Sequence, residues 1–198
     1  MQIVPIYPTL IYHGNTDKLN FLQDNFKKVQ DTLVQSNRLT RKRINEHLLS
    51  DITFSKNLVK EFELIEFQHE VLIHAIQYLQ MIGRDTSTSN FEISESWMTV
   101  TTKHEHAPKH EHGSSDISGV FYVSTNGSDS VFYFSTPVKQ CQSSKLFSAS
   151  HPDMSISPVD GMFILFPGWL EHGVSTQTTD GERISISFNI KVTKNKEI

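Results

Sequence analysis

Four of the ten histidines in this chain lie within nine residues, as two copies of His-Glu-His: His104, His106, His110 and His112. A neutral imidazole donates a lone pair to a metal ion. In an extended segment, side chains two residues apart point to the same face, so either copy could chelate a metal. The spacing alone does not choose between the copies. The alternative is a solvated, histidine-rich loop that binds metal only adventitiously.

A second group of candidate residues lies far downstream. The apolar run 161–166 predicts a buried strand, and His172 follows shortly after its end. Further on, Arg183 and Ser185 fall on one face of an alternating strand. A buried arginine is costly unless it meets an anion, and its planar guanidinium suits a carboxylate. The alternative is a structural arginine paired with a nearby acid, for which Glu182 is the nearest candidate.

Length and composition bound the class of protein. The 198 residues fit one domain, 1–198, and the net charge of −4 argues against binding to nucleic acid. The basic run 38–43 has no interleaved aromatic residues, so it does not change that expectation. Cys141 is the only cysteine, which predicts a reducing compartment. With no signal-peptide pattern and no apolar segment long enough to span a bilayer, we expect a soluble, cytoplasmic protein.

The N-terminal part, residues 1–84, predicts an edge strand and supporting helices. The strand is predicted over residues 3–12. Steps of three and four predict a first helix with a buried stripe: Leu19, Leu22, Phe26, Val29 and Leu33. A second helix is predicted from Lys56 to Gly83, with an apolar face formed by Leu58, Phe62, Ile65, Leu72, Ile76 and Leu79. Two histidines of this helix are interpreted as helix-face residues, His69 and His74.

After residue 84 the sequence favours strands. Short apolar or alternating runs predict strands over residues 91–93, 97–101, 117–124, 130–134, 161–166 and 183–190. Turn dipeptides separate them: Asn126-Gly127, Asp160-Gly161 and Asp180-Gly181. Strands this dense, without a helical period between them, indicate a sandwich or barrel. The predicted fold is therefore mainly β (α+β), with N-terminal helices packed on a β-barrel-like core over residues 91–190.

The order of these motifs resembles that of the iron(II)- and 2-oxoglutarate-dependent oxygenases. In that family a His-x-Asp pair, or a variant of it, leads to a distal histidine and then to Arg-x-Ser. Here His172 lies 62 residues after His110 and 11 residues before Arg183, which fits that order. Residues 91–190 more narrowly resemble a subfamily found in bacterial and phage genomes, through Trp97, Ile-Ser-Gly-Val-Phe-Tyr at 117–122 and Arg-Ile-Ser-Ile-Ser-Phe-Asn at 183–189. The resemblance implies a double-stranded β-helix, the jelly-roll fold that cupins share.

The resemblance also assigns roles to individual residues. His110 and His172 would be iron ligands, and Arg183 would bind the far carboxylate of 2-oxoglutarate with Ser185 beside it. Tyr122 would make a further contact with that carboxylate. The implied cofactors are Fe(II) and 2-oxoglutarate, and the implied partners are O₂ and an unknown primary substrate, either a small molecule or a protein side chain. The implied reaction is hydroxylation, with release of succinate and CO₂. We expect no nucleic-acid or membrane partner, a homodimer is compatible, and a phage-encoded protein would act in the host cytoplasm.

The departure from the family pattern is His112, where most members carry Asp or Glu. We favour His112 as the third ligand, and a three-histidine site would be more positive than the usual one. The alternatives are three nearby carboxylates: Glu105, Glu111 and Asp116. Glu111 would point to the opposite face of an extended segment, which counts against it. The upstream pair, His104 and His106, is then expected to belong to an entrance loop.

Two other functions fit the same sequence. One is a three-histidine metal enzyme of the cupin type that uses no 2-oxoglutarate, with Arg183 binding a substrate carboxylate directly. The other is a non-catalytic metal-binding domain on the same fold, because fold does not determine function. Both tryptophans, Trp97 and Trp169, are interpreted as packing residues rather than substrate platforms.

Overall fold

The computed structural model describes residues 8–40, 49–51, 57–139, 143 and 153–194. Cys141 and most of the basic run 38–43 lie outside these residues. The helices are α1 (Leu19–Gln35), α2 (Leu58–Glu61) and α3 (Ile65–Met81). The strands are β1 (Tyr12–Asn15), β2 (Leu39–Thr40), β3 (Leu49–Asp51), β4 (Ser89–Thr101), β5 (Ala107–His110), β6 (Ile117–Ser124), β7 (Phe132–Phe134), β8 (Met154–Ile156), β9 (Met162–Pro167), β10 (His172–Val174) and β11 (Arg183–Lys194).

The strands form two antiparallel sheets. The larger sheet has the order β1-β9-β6-β11-β4-β3-β2, and the smaller one has the order β5-β10-β7-β8. One apolar cluster lies between the sheets, with residues from β6, β7 and β9. A second cluster lies on the other face of the larger sheet, where α1 and α3 cover it. This is the predicted mainly β fold, a jelly-roll with helices packed on one side.

Helix α1 confirms the predicted stripe. Its buried residues are Leu22, Phe26, Val29 and Leu33, spaced by three and four. The ring of Phe26 lies 4.9 Å from that of Phe67 on α3 and 6.0 Å from that of Phe121 on β6, measured between centroids. Burial of the stripe against the sheet, rather than helix propensity, therefore stabilises α1.

The prediction of one helix from Lys56 to Gly83 is wrong in its middle. The chain forms α2 and then α3, and Glu63 between them has a left-handed φ of 49°. The buried face of the helix also differs from the predicted one, since Ile65, which was predicted to lie on that face, is 69% exposed. The apolar side chains of α3 that are buried are Phe67, Val71, Ala75 and Tyr78. Gly83, with φ of 77°, follows the helix end as predicted.

Helix α2 is separate because it docks on β4 by polar contacts. Asn57 donates from Nδ2 to the carbonyl of Ile93 at 2.6 Å, and the hydroxyl of Ser96 accepts from the backbone N–H of Val59 at 2.9 Å. These bonds fix the direction of α2, and the chain must turn at Glu63 before α3 can cover the sheet. Such long-range contacts leave no periodic signal in the sequence.

The predicted strands agree least with the structure in the small sheet. Residues 117–124 match β6, while 91–93 and 97–101 are parts of one strand, β4. Within the described residues the predicted edge strand 3–12 is extended only at its end, because β1 begins at Tyr12 and pairs with β9 at the edge of the sheet. Strands β5, β8 and β10 were not predicted, since three or four residues show too little alternation.

Strand β11 places the polar residues that matter for the site. It pairs with β4 on one side and β6 on the other. Ile186, Phe188 and Ile190 pack into the cluster under the helices. The alternate residues therefore face the space between the two sheets, and they are polar: Arg183, Ser185, Ser187 and Asn189.

A buried histidine ties the helical layer to the edge of the sheet. His74 on α3 is 6% exposed, and its ring lies 4.3 Å from that of Phe163 on β9. Its Nδ1 lies 2.7 Å from the hydroxyl of Tyr12 on β1. Burial lowers the pKa of His74, although the carboxylate of Glu70 acts in the opposite direction. His74 is a helix-face residue, as expected, on the face that the sheet buries.

We expect this histidine to make the protein less stable in acid. The unfolded chain protonates His74 near pH 6.5 while the folded chain keeps it neutral to lower pH, so the unfolded state binds more protons and acidification favours unfolding. From pH 7 to 5 the wild type should lose more unfolding free energy than His74→Gln, by at most about 1.4 kcal/mol per pH unit below 6.5. Urea unfolding at both pH values measures this difference. Parallel losses in the two proteins would contradict the assignment.

Candidate metal centre and anion pocket

Strand pairing brings the three distal histidines together. His110 ends β5 and lies directly opposite His172, the first residue of β10. His112 lies in the turn after β5, where its backbone N–H donates to the carbonyl of Gly168 at 2.7 Å. The ring centroids are 4.4 Å apart for His110 and His172, 5.1 Å for His110 and His112, and 5.2 Å for His112 and His172. One ring nitrogen from each lies within 4.8 Å of the others, close enough to share a metal ion.

Two of these imidazoles are held in the tautomer that binds metal. Nδ1 of His110 lies 2.8 Å from the carbonyl of Pro108, and Nδ1 of His172 lies 2.8 Å from the carbonyl of Leu170. A carbonyl can only accept, so each Nδ1 carries the proton. The lone pair of each Nε2 is therefore free for a metal ion.

Burial also keeps two of the rings neutral. It lowers the pKa of His172 to about 3 and that of His112 to about 4. The neighbouring histidines lower both values further, since positive rings would repel one another. At pH 7 these imidazoles are uncharged and can act as ligands without first losing a proton.

Aromatic side chains and one glycine shape the centre. Phe132 stacks on His172 at 5.4 Å between centroids, and Phe166 lies 4.5 Å from the same ring. A Cβ at Gly168 would lie 2.2 Å from the carbonyl oxygen of Ser115 and 2.8 Å from that of His112. Position 168 must therefore be glycine for the turn that carries His112 to pass so closely.

None of the three carboxylates considered as alternative ligands joins this cluster in the described part of the chain. Asp116 accepts the backbone N–H of Val192 at 2.8 Å, and Glu105 accepts the backbone N–H of Thr102 at 2.7 Å. Glu111 is exposed. The cluster consists of histidines only.

The upstream His-Glu-His copy lies outside the cluster as well. His104 is exposed, has a left-handed φ of 69° and donates its backbone N–H to the carbonyl of Gln177 at 2.8 Å. His106 is half-buried and lies just before β5. Both belong to the connection between β4 and β5, so the structure separates the two copies that spacing could not.

A cavity of about 100 Å³ connects the histidines to the arginine. One water needs roughly 10–15 Å³ on this measure, so the cavity has room for a small organic molecule. Polar residues that line it from the larger sheet are Thr99, Thr101, Ser118, Tyr122, Arg183, Ser185 and Ser187. Apolar residues close it from both sheets: Ala107, Val120, Phe132, Phe166, Val174 and Phe188.

Arg183 is a buried cation with no anionic partner among the described residues. It is 2% exposed, and its Nη atoms donate to the hydroxyls of Ser130 and, at 3.2 Å, Thr101. Its Nε is buried and has no hydrogen-bond partner among the described residues. Glu182 is exposed and forms no ion pair with it, so the alternative of a local pair is wrong. Burial lowers the pKa of the guanidinium, which nevertheless stays charged at pH 7.

Two further side chains with hydroxyl groups line the same cavity as Arg183. Ser185 and Tyr122 are opposite each other across β11 and β6. The guanidinium carbon of Arg183 lies 5.8 Å from the centre of the Tyr122 ring. Burial raises the pKa of Tyr122 to about 12, so its hydroxyl stays a neutral hydrogen-bond donor. The cavity is thus lined by three side chains that can donate hydrogen bonds.

The sequence analysis missed several contributors. Thr101 and Ser130 hold Arg183, and only the pairing of Thr101 with Arg183 across β4 and β11 could have indicated one of them. Trp97 is half-buried and lines the cavity, with its ring 5.7 Å from that of His112. Trp169 is 54% exposed, so its interpretation as a packing residue is wrong.

Comparisons with known proteins agree with this architecture. Residues 95–189 match the family model described as "Putative 2OG-Fe(II) oxygenase". No curated protein sequence matches the chain. Among solved structures, the epimerase SnoN in complex with Fe³⁺, alpha ketoglutarate and nogalamycin RO has a TM-score of 0.66 at 9% identity, over 94% of this chain and 82% of SnoN.

Two further structures show the range of the similarity. A prolyl-4-hydroxylase from Pseudomonas putida has a TM-score of 0.55 at 12% identity, over 92% of this chain and 94% of that one. The chain spans about half (48%) of an oxidoreductase of the 2OG-Fe(II) oxygenase family from Burkholderia pseudomallei, with 58% of this chain matched, 16% identity and a TM-score of 0.45.

The two antiparallel sheets with a polar pocket between them define a jelly-roll fold. Residues 95–189, just under half of the chain, are similar to the 2OG-Fe(II) oxygenase family. This confirms the resemblance seen in the sequence. No helix in the described ranges is long and apolar enough to cross a membrane.

The residues present fit a metal ion, which leads to a prediction about the two His-Glu-His copies. Replacing both His110 and His112 by Ala should weaken Fe(II) or Mn(II) binding by more than about 100-fold. Loss of a hydrogen-bond partner of a metal ligand already costs about 10–100-fold, and loss of the ligands themselves should cost more. The matched double variant of His104 and His106 should bind one equivalent of metal as the wild type does. Equilibrium dialysis under anaerobic conditions measures both. The reverse outcome would place the centre elsewhere.

Proposed function

We propose that this protein is an Fe(II)- and 2-oxoglutarate-dependent oxygenase that hydroxylates a primary substrate. In this proposal His110, His112 and His172 hold the iron, and Arg183 binds 2-oxoglutarate with Ser185 and Tyr122. One observation carries it: a buried guanidinium, with no anionic partner in the described part of the chain, lines the same cavity as three clustered imidazoles. A cation that lacks an anion, beside a metal-binding cluster, suits a ligand with a carboxylate at one end and a chelating group at the other.

When bound, iron and 2-oxoglutarate use O₂ to insert one oxygen atom into a substrate C–H bond, while the other oxygen enters succinate as CO₂ leaves. The protein's own contribution is positional. The carbonyls of Pro108 and Leu170 fix the Nδ1 protons of His110 and His172, so each Nε2 is presented in one orientation. A face of three protein ligands leaves open positions for the keto acid and O₂.

Arg183 orients the co-substrate through its rigid fork. Ser130 and Thr101 already hold its Nη atoms, so the side chain is fixed before any ligand arrives. An incoming carboxylate meets a preorganised cation in a pocket with little competing water, where charge-assisted hydrogen bonds are strong. The neutral hydroxyls of Tyr122 and Ser185 supply further hydrogen bonds to the same end.

Apolar side chains cover one side of the histidine cluster. Phe132 and Phe166 cover the buried His172, and Val120 lies beside them in the same apolar cluster, whereas His110 is exposed to solvent. Solved structures with a similar fold include an epimerase and a prolyl-4-hydroxylase, so the fold does not determine the substrate.

The histidine-only cluster favours one second candidate, a three-histidine enzyme of the cupin type that uses no keto acid. In that case Arg183 would bind the carboxylate of the substrate itself. The two functions differ in what 2-oxoglutarate does to the metal.

Anaerobic titration of the Fe(II)-loaded protein with 2-oxoglutarate separates these functions. A keto acid that chelates the iron should give a weak visible charge-transfer band that saturates with one equivalent, and aeration should then release succinate. Succinate, a dicarboxylate that lacks the keto group, serves as the control ligand and should give no band. Iron binding without any band would favour the second candidate.

Replacement of Arg183 tests the anion pocket separately from the metal. Arg183→Lys should weaken 2-oxoglutarate binding, because lysine keeps the charge but loses the fork. Arg183→Ala should weaken it by about 3–5 kcal/mol, as when one partner of a buried pair is lost, or roughly 10²–10⁴-fold. Calorimetry with Mn(II) in place of iron measures the affinity without turnover.

The exposed Arg84 provides a matched control, and Arg84→Ala should bind 2-oxoglutarate as the wild type does. Mn(II) affinity without the keto acid should survive both changes at Arg183, since arginine is not a ligand. Equal 2-oxoglutarate affinities in wild type and Arg183→Ala would make this arginine structural and would remove the co-substrate from the proposal.

A further inference from the structure

A buried glutamine that the proposed mechanism does not use is connected to Arg183 by hydrogen bonds. Gln177 lies in the connection between β10 and β11 and is 0% exposed. Its Nε2 donates to the carbonyls of Thr179 at 3.1 Å and Gly181 at 2.9 Å, and its Oε1 accepts from the hydroxyl of Ser128 at 2.8 Å. Since carbonyls can only accept, the amide nitrogen must face them, and the amide oxygen therefore faces Ser128.

Two serine hydroxyls form the rest of the connection. Those of Ser128 and Ser130 lie 2.8 Å apart, and Ser130 accepts from Nη1 of Arg183. A guanidinium can only donate, and the proton of Ser128 is already donated to Gln177, so the proton of Ser130 must point to Ser128. Every hydrogen bond of this chain then runs in one direction, from the guanidinium through the two serines to the amide oxygen.

This direction suits a buried cation. A hydroxyl that donates onward becomes a better acceptor, so hydrogen bonds in series strengthen one another in a protein interior. The chain ends on Oε1 of Gln177, the negative end of a neutral amide. No acidic side chain forms an ion pair with Arg183 in the described ranges. The chain thus holds the guanidinium without adding an anion that would compete with a ligand carboxylate.

The far end of the chain is fixed by the backbone. The carbonyl of Gln177 accepts from the N–H of His104 at 2.8 Å, and its own N–H donates to the carbonyl of Glu105 at 3.0 Å. These bonds hold position 177 against the connection between β4 and β5. The upstream His-Glu-His copy therefore supports the anion pocket through its backbone, although its imidazoles lie outside the metal cluster.

We infer that Gln177 is a positioning residue for Arg183, acting through the two serine hydroxyls, and that it thereby raises the affinity for the far carboxylate of the co-substrate. The inference rests on the proposed function, in which Arg183 binds 2-oxoglutarate. With Nη1 held, the guanidinium keeps one orientation before the ligand arrives, so less side-chain entropy is lost on binding. Nε, which has no partner among the described residues, is then presented to the ligand in a fixed direction.

Calorimetric titration of the Mn(II)-loaded protein with 2-oxoglutarate tests this. Ser128→Ala interrupts the chain and should weaken 2-oxoglutarate binding about fivefold, the effect of losing one net hydrogen bond. Gln177→Met removes the last acceptor at similar side-chain length and should weaken binding at least as much. Ser128→Thr keeps the hydroxyl and should stay within about twofold of wild type. The matched control is Ser87→Ala, an exposed serine before β4, which should bind as the wild type does.

Two further readouts distinguish positioning from general stability. Mn(II) affinity without the keto acid should be the same in Ser128→Ala and wild type, because no member of the chain belongs to the histidine cluster. The second readout is 2-oxopentanoate, a keto acid of the same length with a methyl group in place of the far carboxylate. Its affinity should not change in Ser128→Ala, since it has no group for Arg183 to bind.

Unchanged or tighter 2-oxoglutarate binding in Ser128→Ala would overturn the inference, as would an equal loss with 2-oxopentanoate or in Ser87→Ala. Each of these results, with normal binding by the wild type, leaves the proposed function intact. A wild type that binds Mn(II) but no 2-oxoglutarate would instead remove the co-substrate, and this inference with it. If Gln177→Met does not fold, Ser128→Ala still decides the question, because Ser128 is only half-buried.

Discussion

The burial of Arg183 is the constraint on which the rest of the site depends. A guanidinium taken out of water costs several kcal/mol unless hydrogen bonds and an opposite charge compensate. The hydroxyls of Thr101 and Ser130 and the ring of Tyr122 supply part of this, and Nε remains without a partner among the described residues. The protein tolerates this cost on β11, an interior strand bonded on both sides. The sheet thus holds a buried cation that an anionic ligand would compensate.

The same strand links the anion pocket to the metal cluster. Because alternate residues of β11 face the space between the sheets, Arg183 and Ser185 at one end and Asn189 at the other belong to one row. The row contributes no metal ligand, but Asn189 contacts His112. The ligands come from the small sheet and the turn beside it, where β5 and β10 are only four and three residues long. The long strand β11 therefore lies across the cavity from the short strands β5 and β10, and the cavity lies between the two sheets.

Long, regular elements were predictable from the sequence, and so was the set of histidines that cluster. Helix α1 and strand β6 follow from periodicity, and the family pattern selects His110 and His172 over the upstream copy. The break at Glu63 and the short strands were not predictable, because docking and pairing between distant segments create them. Nor was the contact between Asn189 and His112, which depends on cross-strand register. A polar residue such as Asn189, in an alternating strand, cannot be distinguished from a packing residue until the residues opposite it on β4 and β6 are known.

The composition of the proposed centre has a consequence for how its two cofactors bind. Three neutral imidazoles leave the full charge of a divalent ion uncompensated in a partly buried site, whereas a carboxylate ligand would cancel half of it. Glu95 acts electrostatically on His112 from outside the cluster. A dianionic keto acid that meets both the metal and Arg183 then adds the missing negative charge inside the cavity. Each cofactor must raise the affinity of the other by the same factor, since coupling between two binding sites is reciprocal. In the proposed centre, His112 in place of a carboxylate would therefore shift charge balance from the protein to the co-substrate, and metal retention would depend on the keto acid.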